Sequence, residues 1–131
     1  MKNTPQQIFR ASSNDLIGIP YEEKDCWQLT RHFYCLVFSI NLSGYIYKDP
    51  MDTKEISGVV ALHQSDFIKV SKPEFGDIIL INILGLPAHV GVFLGNGLFL
   101  HTSQKNGSHI DRIAVWEKRI VGYYRYGKNQ A

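Results

Sequence analysis

No stretch of this 131-residue chain is apolar for long enough to cross a bilayer, since Phe33 to Ile40 and Ile78 to Leu86 are its longest apolar runs and a spanning helix needs roughly eighteen residues. Charge of one sign is also missing. Fourteen Lys and Arg against twelve Asp and Glu leave a net +2, far from the cationic footprint of a dedicated nucleic-acid binder. Two cysteines, Cys26 and Cys35, are too few for a disulfide framework. If one helix carries both, they lie about 13 Å apart along its axis on opposite faces and cannot bridge. Neither His-Glu-x-x-His nor a paired Cys-x-x-Cys occurs, so a hydrolytic metal finds no ligand spacing; the zinc set left to consider is Cys26, His89 and His101. Residues Met1 to Asp15 lack the apolar core and cleavage site of a secretory signal, so synthesis in the cytoplasm without the general export route is expected. There is no repeat and no low-complexity tract.

What is present is the composition of one ordinary folded domain, 44% hydrophobic and 20% charged, spanning residues 1–131. Residues 1–17 read as a polar arm. From Glu22 to about Leu42 a helix is expected: Leu29, Phe33, Leu36, Val37 and Ile40 recur at three- and four-residue intervals, and Asp25 is placed to cap its start. Cys26 then lies in the first turn, and Cys35 is expected to be a buried hydrophobe of the apolar face. Between Ser43 and Phe75 the pattern yields only breaks at Gly44, Asp49-Pro50 and Lys72-Pro73 and a short helix over Thr53 to His63. After Pro73 strands are expected. The run from Asp77 to Ile83 suits a strand covered on both faces, Ala88 to Leu94 and Leu98 to Ser103 flank the turn signal Gly95-Asn96-Gly97, and Ile120 to Tyr126 closes the chain.

The hairpin register decides where the chemistry falls. A plain two-residue turn at Asn96-Gly97 mixes polar and apolar side chains on each face. A three-residue loop with a bulge at Gly97 instead pairs Val90 with Thr102, Val92 with Leu100 and Leu94 with Leu98, giving one apolar face. The other face then carries His89, Gly91, Phe93, Phe99 and His101, with Gly91 leaving room between the imidazoles. Two histidines on one face, beside a helix that begins with a cysteine, assemble the parts of a thiol nucleophile. The helix N-terminus favours the thiolate, one histidine carries the proton, and a second polar group fixes its tautomer.

The segments Ile19-Pro-Tyr-Glu-Glu-Lys-Asp-Cys-Trp27, Phe75-Gly-Asp-Ile-Ile79, Ala88-His-Val-Gly-Val-Phe-Leu-Gly-Asn-Gly97 and Phe99-Leu-His-Thr102 resemble the NlpC/P60 cysteine peptidases, in particular the short versions in phage tail proteins. The resemblance covers Gly18 to Arg125. It implies an α+β, papain-like core in which the helix bearing the cysteine packs on an antiparallel sheet. It further implies Cys26 as nucleophile, His89 as general base, His101 as the orienting third member, and Tyr21, Asp25 and Trp27 as substrate or oxyanion contacts. Two positions depart from the family pattern: Trp27 stands where many cell-wall members have serine, and Gln28 where glycine is usual. The activity implied is hydrolysis of peptidoglycan stem peptides, often between D-glutamate and diaminopimelate or lysine. No cofactor is required, and the chain would act at the cell wall or periplasm from a phage particle or a specialised secretion route.

Plainer readings stand beside these. Asp25 serves equally as an N-cap, Tyr21 as a packing residue, and His32, His63 and His109 as surface or packing residues. A phage-tail structural module with an idle triad, and a thiol amidase or acyltransferase acting on another amide, use the same features. Partners implied are the wall peptide, tail proteins or an immunity protein, with no nucleic acid and a monomer by default.

Overall fold

The structure is a computed structural model that describes residues 3–42 and 67–127. It opens with helix α1 (Pro5–Ser12), so the expected polar arm is in fact ordered. The reason is local: Thr4 Oγ1 accepts from the Gln7 amide at 3.1 Å while Gln7 Oε1 accepts from the Thr4 amide at 2.8 Å, a reciprocal capping box with proline just inside the helix. Phe9 then anchors α1, its ring 5.7 Å from Phe33 and 6.2 Å from Phe75.

Helix α2 (Cys26–Phe38) starts as expected, with Asp25 as N-cap accepting from the Gln28 amide at 2.9 Å. It ends four residues earlier than the apolar spacing indicates, because Ser39 adopts a left-handed C-cap with φ 57°. Leu29, Phe33 and Val37 are buried, as are Trp27, Thr30 and Tyr34. Cys35 is exposed, not buried. Two residues past Phe33 a helix has turned by about 200°, which puts Cys35 on the face opposite the core. Among the described residues no helix is long and apolar enough to cross a membrane.

Among the described residues, six strands form one antiparallel sheet: β1 (Phe67–Val70), β2 (Ile78–Ile83), β3 (Leu86–Gly95), β4 (Leu98–Ser103), β5 (Gly107–Arg112) and β6 (Ile120–Tyr126), in the order β1-β6-β2-β3-β4-β5. A short helix, α3 (Ile113–Trp116), links β5 towards β6. Residues Ile78 to Ile81 are all buried, as a strand covered on both faces requires. Strands β1 and β5 escape the sequence pattern, β1 because it lies in the unread stretch and β5 because Gly-Ser-His-Ile-Asp-Arg carries almost no apolar signal. The expected helix over 53–63 lies outside the described residues. Buried Asp77, from the Phe75-Gly-Asp segment, ties the start of β2 to β6 through a two-pronged contact with Arg125 at 3.0 and 2.8 Å.

The hairpin reaches the expected faces by another route. Gly95 is opposite Leu98, so the turn has two residues, and both Asn96 (φ 53°) and Gly97 (φ 72°) take the left-handed backbone of a type I′ turn. A register shift between Phe93 and Gly95 restores Val92 opposite Leu100 and Phe93 opposite Phe99. Leu94 is therefore the bulged residue and is not paired with Leu98. The expected pairing of Val90 with Thr102 is also not formed: among the described residues the β3–β4 ladder runs only from Gly95/Leu98 to Val92/Leu100, although β4 continues along β5 to Ser103. The two strands part beyond Val92, beside His89.

Candidate active site

The two faces of the sheet hold different halves of the expected chemistry. Ala88, Val90, Val92 and Leu100 share a core cluster with α2 and with Cys26. His89 is opposite Ile81 on β2, and Ile81 belongs with Ile79 and Phe99 to the cluster on the other face. Cys26 therefore comes from the helix side and the histidines from the far side. The link between the two sides is the Val90 amide, next in sequence to His89, which is directed at the Cys26 sulfur.

At the first position of α2, Cys26 is 1% exposed. Burial is the strongest influence on its thiol and pushes the pKa up to about 12; the Asp25 carboxylate works in the same direction, while the amides of Val90, Trp27 and Cys26 itself favour the thiolate. The resting site is thus a neutral thiol. Asp25 is itself held above the usual carboxylate range by burial, against hydrogen bonds from the Gln28 and Trp27 amides. The helix N-terminus, read from sequence as an activator, is outweighed here by desolvation.

On the far face His89 Nε2 lies 3.0 Å from His101 Nδ1, and His101 Nε2 lies 3.4 Å from Asp111 Oδ2. A carboxylate only accepts, so the proton between the latter pair belongs to His101 Nε2. Neutral His101 then presents a lone pair at Nδ1, and His89 must donate from Nε2. The consequence is that neutral His89 has its free lone pair at Nδ1. Asp111 thereby sets the direction of the whole chain. Desolvation, reinforced by the neighbouring imidazoles, lowers the His89 pKa to about 3; desolvation and His109 lower that of His101 to about 4 against the pull of Asp111.

The ring of His101 is boxed on three sides: Phe99 stacks on it at 4.4 Å, His109 lies at 4.6 Å and Trp116 meets it edge-on at 5.2 Å. Trp116 also donates from Nε1 to Asp111 Oδ2 at 2.9 Å, the largest influence holding that carboxyl below its ordinary pKa. Sequence reasoning missed Asp111 and Trp116 and set His109 apart. For His109 and Asp111 the signal was the two-residue alternation on β5, where His109 is opposite His101 and Asp111 opposite Phe99; Trp116, on α3, had none. Gly91 matters for a different reason than expected: a Cβ there would come within 2.7 Å of the Phe99 ring and 3.0 Å of the Leu100 carbonyl, so it admits the stacking phenyl group and not the imidazoles.

The remaining expected residues flank the cysteine. The segment before α2 runs along β5, with the Gly18 amide donating to the Ser108 carbonyl at 2.8 Å and the Ser108 amide to the Ile19 carbonyl at 2.9 Å. Tyr21, at its end, is buried. Trp27 is buried too, its ring edge-on to Phe67 at 6.4 Å. The donor atoms that gather for a metal are not those of Cys26, His89 and His101; among the described residues His101, His109 and Asp111 bring one atom each within 4.8 Å of one another.

The arrangement has counterparts. Residues 12–125 match the model of the NlpC/P60 family. Peptidoglycan DL-endopeptidase CwlO of Bacillus licheniformis is 30% identical over 60 residues, 44% of this chain but only 13% of that protein. Among solved structures, the NlpC/p60 domain of the peptidoglycan hydrolase SagA superposes with a TM-score of 0.60 at 19% identity, covering 92% of this chain and 97% of that one. An NLP/P60 protein of Staphylococcus aureus described as similar to lipoprotein gives a TM-score of 0.63 at 18% identity over 96% of this chain and 42% of that one. The peptidoglycan hydrolase RipB of Mycobacterium tuberculosis gives 0.55 at 15% identity over 92% and 63%. At such identities the structures testify to the fold, an antiparallel sheet with the cysteine helix packed on it. With the family model matched from before the cysteine helix into the last strand, the chain belongs to the NlpC/P60 family.

Proposed function

We propose that the chain is a cysteine peptidase that hydrolyses amide bonds in peptidoglycan stem peptides, with Cys26 as nucleophile, His89 as base and His101 as the residue that orients it. The observation that carries the reading is the directed chain Asp111, His101, His89, ending beside the backbone against which the Cys26 sulfur rests. Names of relatives supply the substrate class: CwlO is a peptidoglycan DL-endopeptidase and RipB a peptidoglycan hydrolase. The bond between D-glutamate and diaminopimelate or lysine is the one we assign, with delivery to the wall by a phage particle or a specialised secretion route.

In the first half-reaction the Cys26 thiol gives its proton to His89 Nδ1 as sulfur attacks the carbonyl carbon. The amide at the start of α2 and Tyr21 hold the oxyanion. The tetrahedral adduct collapses, its C–N bond breaks, and the His89 proton leaves with the amine. Water, deprotonated by His89, then attacks the thioester, and the proton returns to the departing thiolate. Because the thiol and imidazole rest neutral, proton transfer accompanies attack and does not precede it.

Mass spectrometry of peptidoglycan from Gram-negative and Gram-positive walls tests the reading. New fragments are expected with the protein and none with Cys26→Ala, a loss on the order of 10⁴-fold in turnover. Fragment masses name the bond. Equal release by both proteins removes Cys26 from the mechanism, and no release by either removes the wall peptide as substrate.

A further inference from the structure

Beside the relay, two hydrogen-bond acceptors face each other. The Gly107 carbonyl accepts from His109 Nδ1 at 2.8 Å, so neutral His109 carries its proton there and has a lone pair on Nε2. That lone pair faces Asp111 Oδ2 at 4.0 Å, and the same oxygen lies 3.4 Å from His101 Nε2. A cation between the three resolves the conflict.

We propose that His101, His109 and Asp111 form a Zn²⁺ site whose occupation switches the relay off. Two imidazole nitrogens and one carboxylate oxygen are a common donor set for zinc. Bonds of about 2.0–2.1 Å in a tetrahedron place neighbouring donors roughly 3.3–3.4 Å apart. One edge, His101 to Asp111, already has that length, and the others close from within 4.8 Å by a small rotation of His109, which is 27% exposed. The supporting contacts are those that orient metal ligands: the Gly107 carbonyl fixes the His109 tautomer and Trp116 Nε1 holds Asp111. Solvent at the exposed side of His109 and Asp111 supplies the fourth ligand.

The switch follows from proton counting, and it rests on the peptidase reading. To bind zinc through Nε2, His101 must move its proton to Nδ1. It then donates to His89 Nε2, which must become the acceptor, so neutral His89 carries its proton on Nδ1. The base is left with no lone pair towards the thiol, although no catalytic group has been displaced.

The experiment uses the full chain with Zn²⁺, read by competition with a chromophoric chelator, and with Co²⁺, read by the visible bands of a tetrahedral cobalt ion. One ion per chain is expected for the wild type and equally for Cys26→Ala, which keeps every ligand. His109→Asn is expected to bind at least about tenfold more weakly and, each protein being compared with its own metal-free rate on wall peptide, to resist zinc at concentrations that silence the wild type. A chelator restores the wild type. Equal binding by wild type and His109→Asn, or loss of binding in Cys26→Ala, overturns the site; zinc bound through His109 without effect on hydrolysis overturns the switch. Binding through His109 in a protein with no hydrolytic activity keeps the site and rejects the peptidase reading.

Discussion

The helix-side face of the sheet and its opposite face are built from the same strands but solve different problems. On the helix side, aliphatic residues of β2, β3 and β4 meet the aromatic residues of α1 and α2 in one continuous apolar cluster. On the far side, among the described residues, the buried cluster is Ile79, Ile81 and Phe99, rimmed by partly buried hydrophobic residues such as Phe93 and Ile120, and beside it lie imidazoles, a carboxylate and an indole. Apolar contacts of the first kind tolerate repacking. The second kind depends on donor and acceptor direction, so a single atom change can reverse it. Stability should therefore be concentrated on one face and turnover on the other.

The largest stability effect expected is on the helix side. Phe33 is fully buried, with the rings of Phe9, Tyr34, Phe38 and Phe75 all 5.7–6.0 Å away, and Phe33→Ala should cost about 3–5 kcal/mol. Chemical denaturation measures this. A cost under about 1 kcal/mol, too small for a cavity in a close-packed core, would show that the helix side is not the main source of stability.

The far side adds a pH-dependent contribution. His89 and His101 have pKa values lowered to about 3 and 4 from an ordinary 6.5, so below pH 6.5 the unfolded chain takes up protons that the folded chain refuses. Stability is then fully present above that pH and declines as the pH falls towards 4, by about 2–3 kcal/mol per pH unit for the pair. The Cys26 thiol acts at the other end, where the unfolded chain loses its proton from about pH 9 and the folded one not until about 12, so stability falls across that interval. Melting temperatures from pH 7 down to pH 4.5 check the acid limb, which should flatten in a His89→Gln, His101→Gln double variant. An unchanged slope would locate the acid sensitivity elsewhere.

Smaller in free energy, but specific to function, is Asp111→Asn. The amide keeps the shape but has one acceptor oxygen for donors that Asp111 meets with two, Trp116 and His101 at Oδ2 and the Arg112 backbone at Oδ1; with that oxygen turned to the Arg112 amide, the NH2 faces His101 Nε2 and no longer obliges it to donate. Turnover should fall about 10–100-fold with KM and the melting curve little changed. A rise in KM alone would make Asp111 a substrate contact.

These residues also mark where sequence reasoning reaches its limit. The cysteine helix, its Asp25 cap, the doubly buried β2 and the pairing of His89 with His101 were legible because each has a local signal: a cap, a period, a turn, a spacing of twelve residues. Asp111 and His109 were not, since β5 is polar and only its pairing with β4 places them against His101, and Trp116 was not, since it reaches His101 from the short helix that follows β5. The hairpin was legible in its faces and not in its turn, because a bulge at Leu94 and a three-residue loop produce the same alternation. The capping box of α1 was readable in Thr4-Pro5-Gln6-Gln7 but carries too few apolar residues to stand out.

The smallest expected effect separates the two thiols. Spacing alone puts Cys26 and Cys35 on opposite sides of α2, and the structure makes one buried and the other exposed. Because Cys35 is exposed, Cys35→Ser should change stability by less than about 0.5 kcal/mol and leave hydrolysis intact. Alkylation gives the sharper readout. Near neutral pH the exposed Cys35 should react first with iodoacetamide, and Cys26, protonated and enclosed, only slowly, so that Cys35→Ser leaves a protein nearly inert to the reagent. Denaturant should bring the Cys26 rate up as its burial is lost. Rapid labelling of folded Cys35→Ser at Cys26 would mean that the amides of α2 and Val90 outweigh desolvation, and the site would then hold a thiolate before substrate arrives.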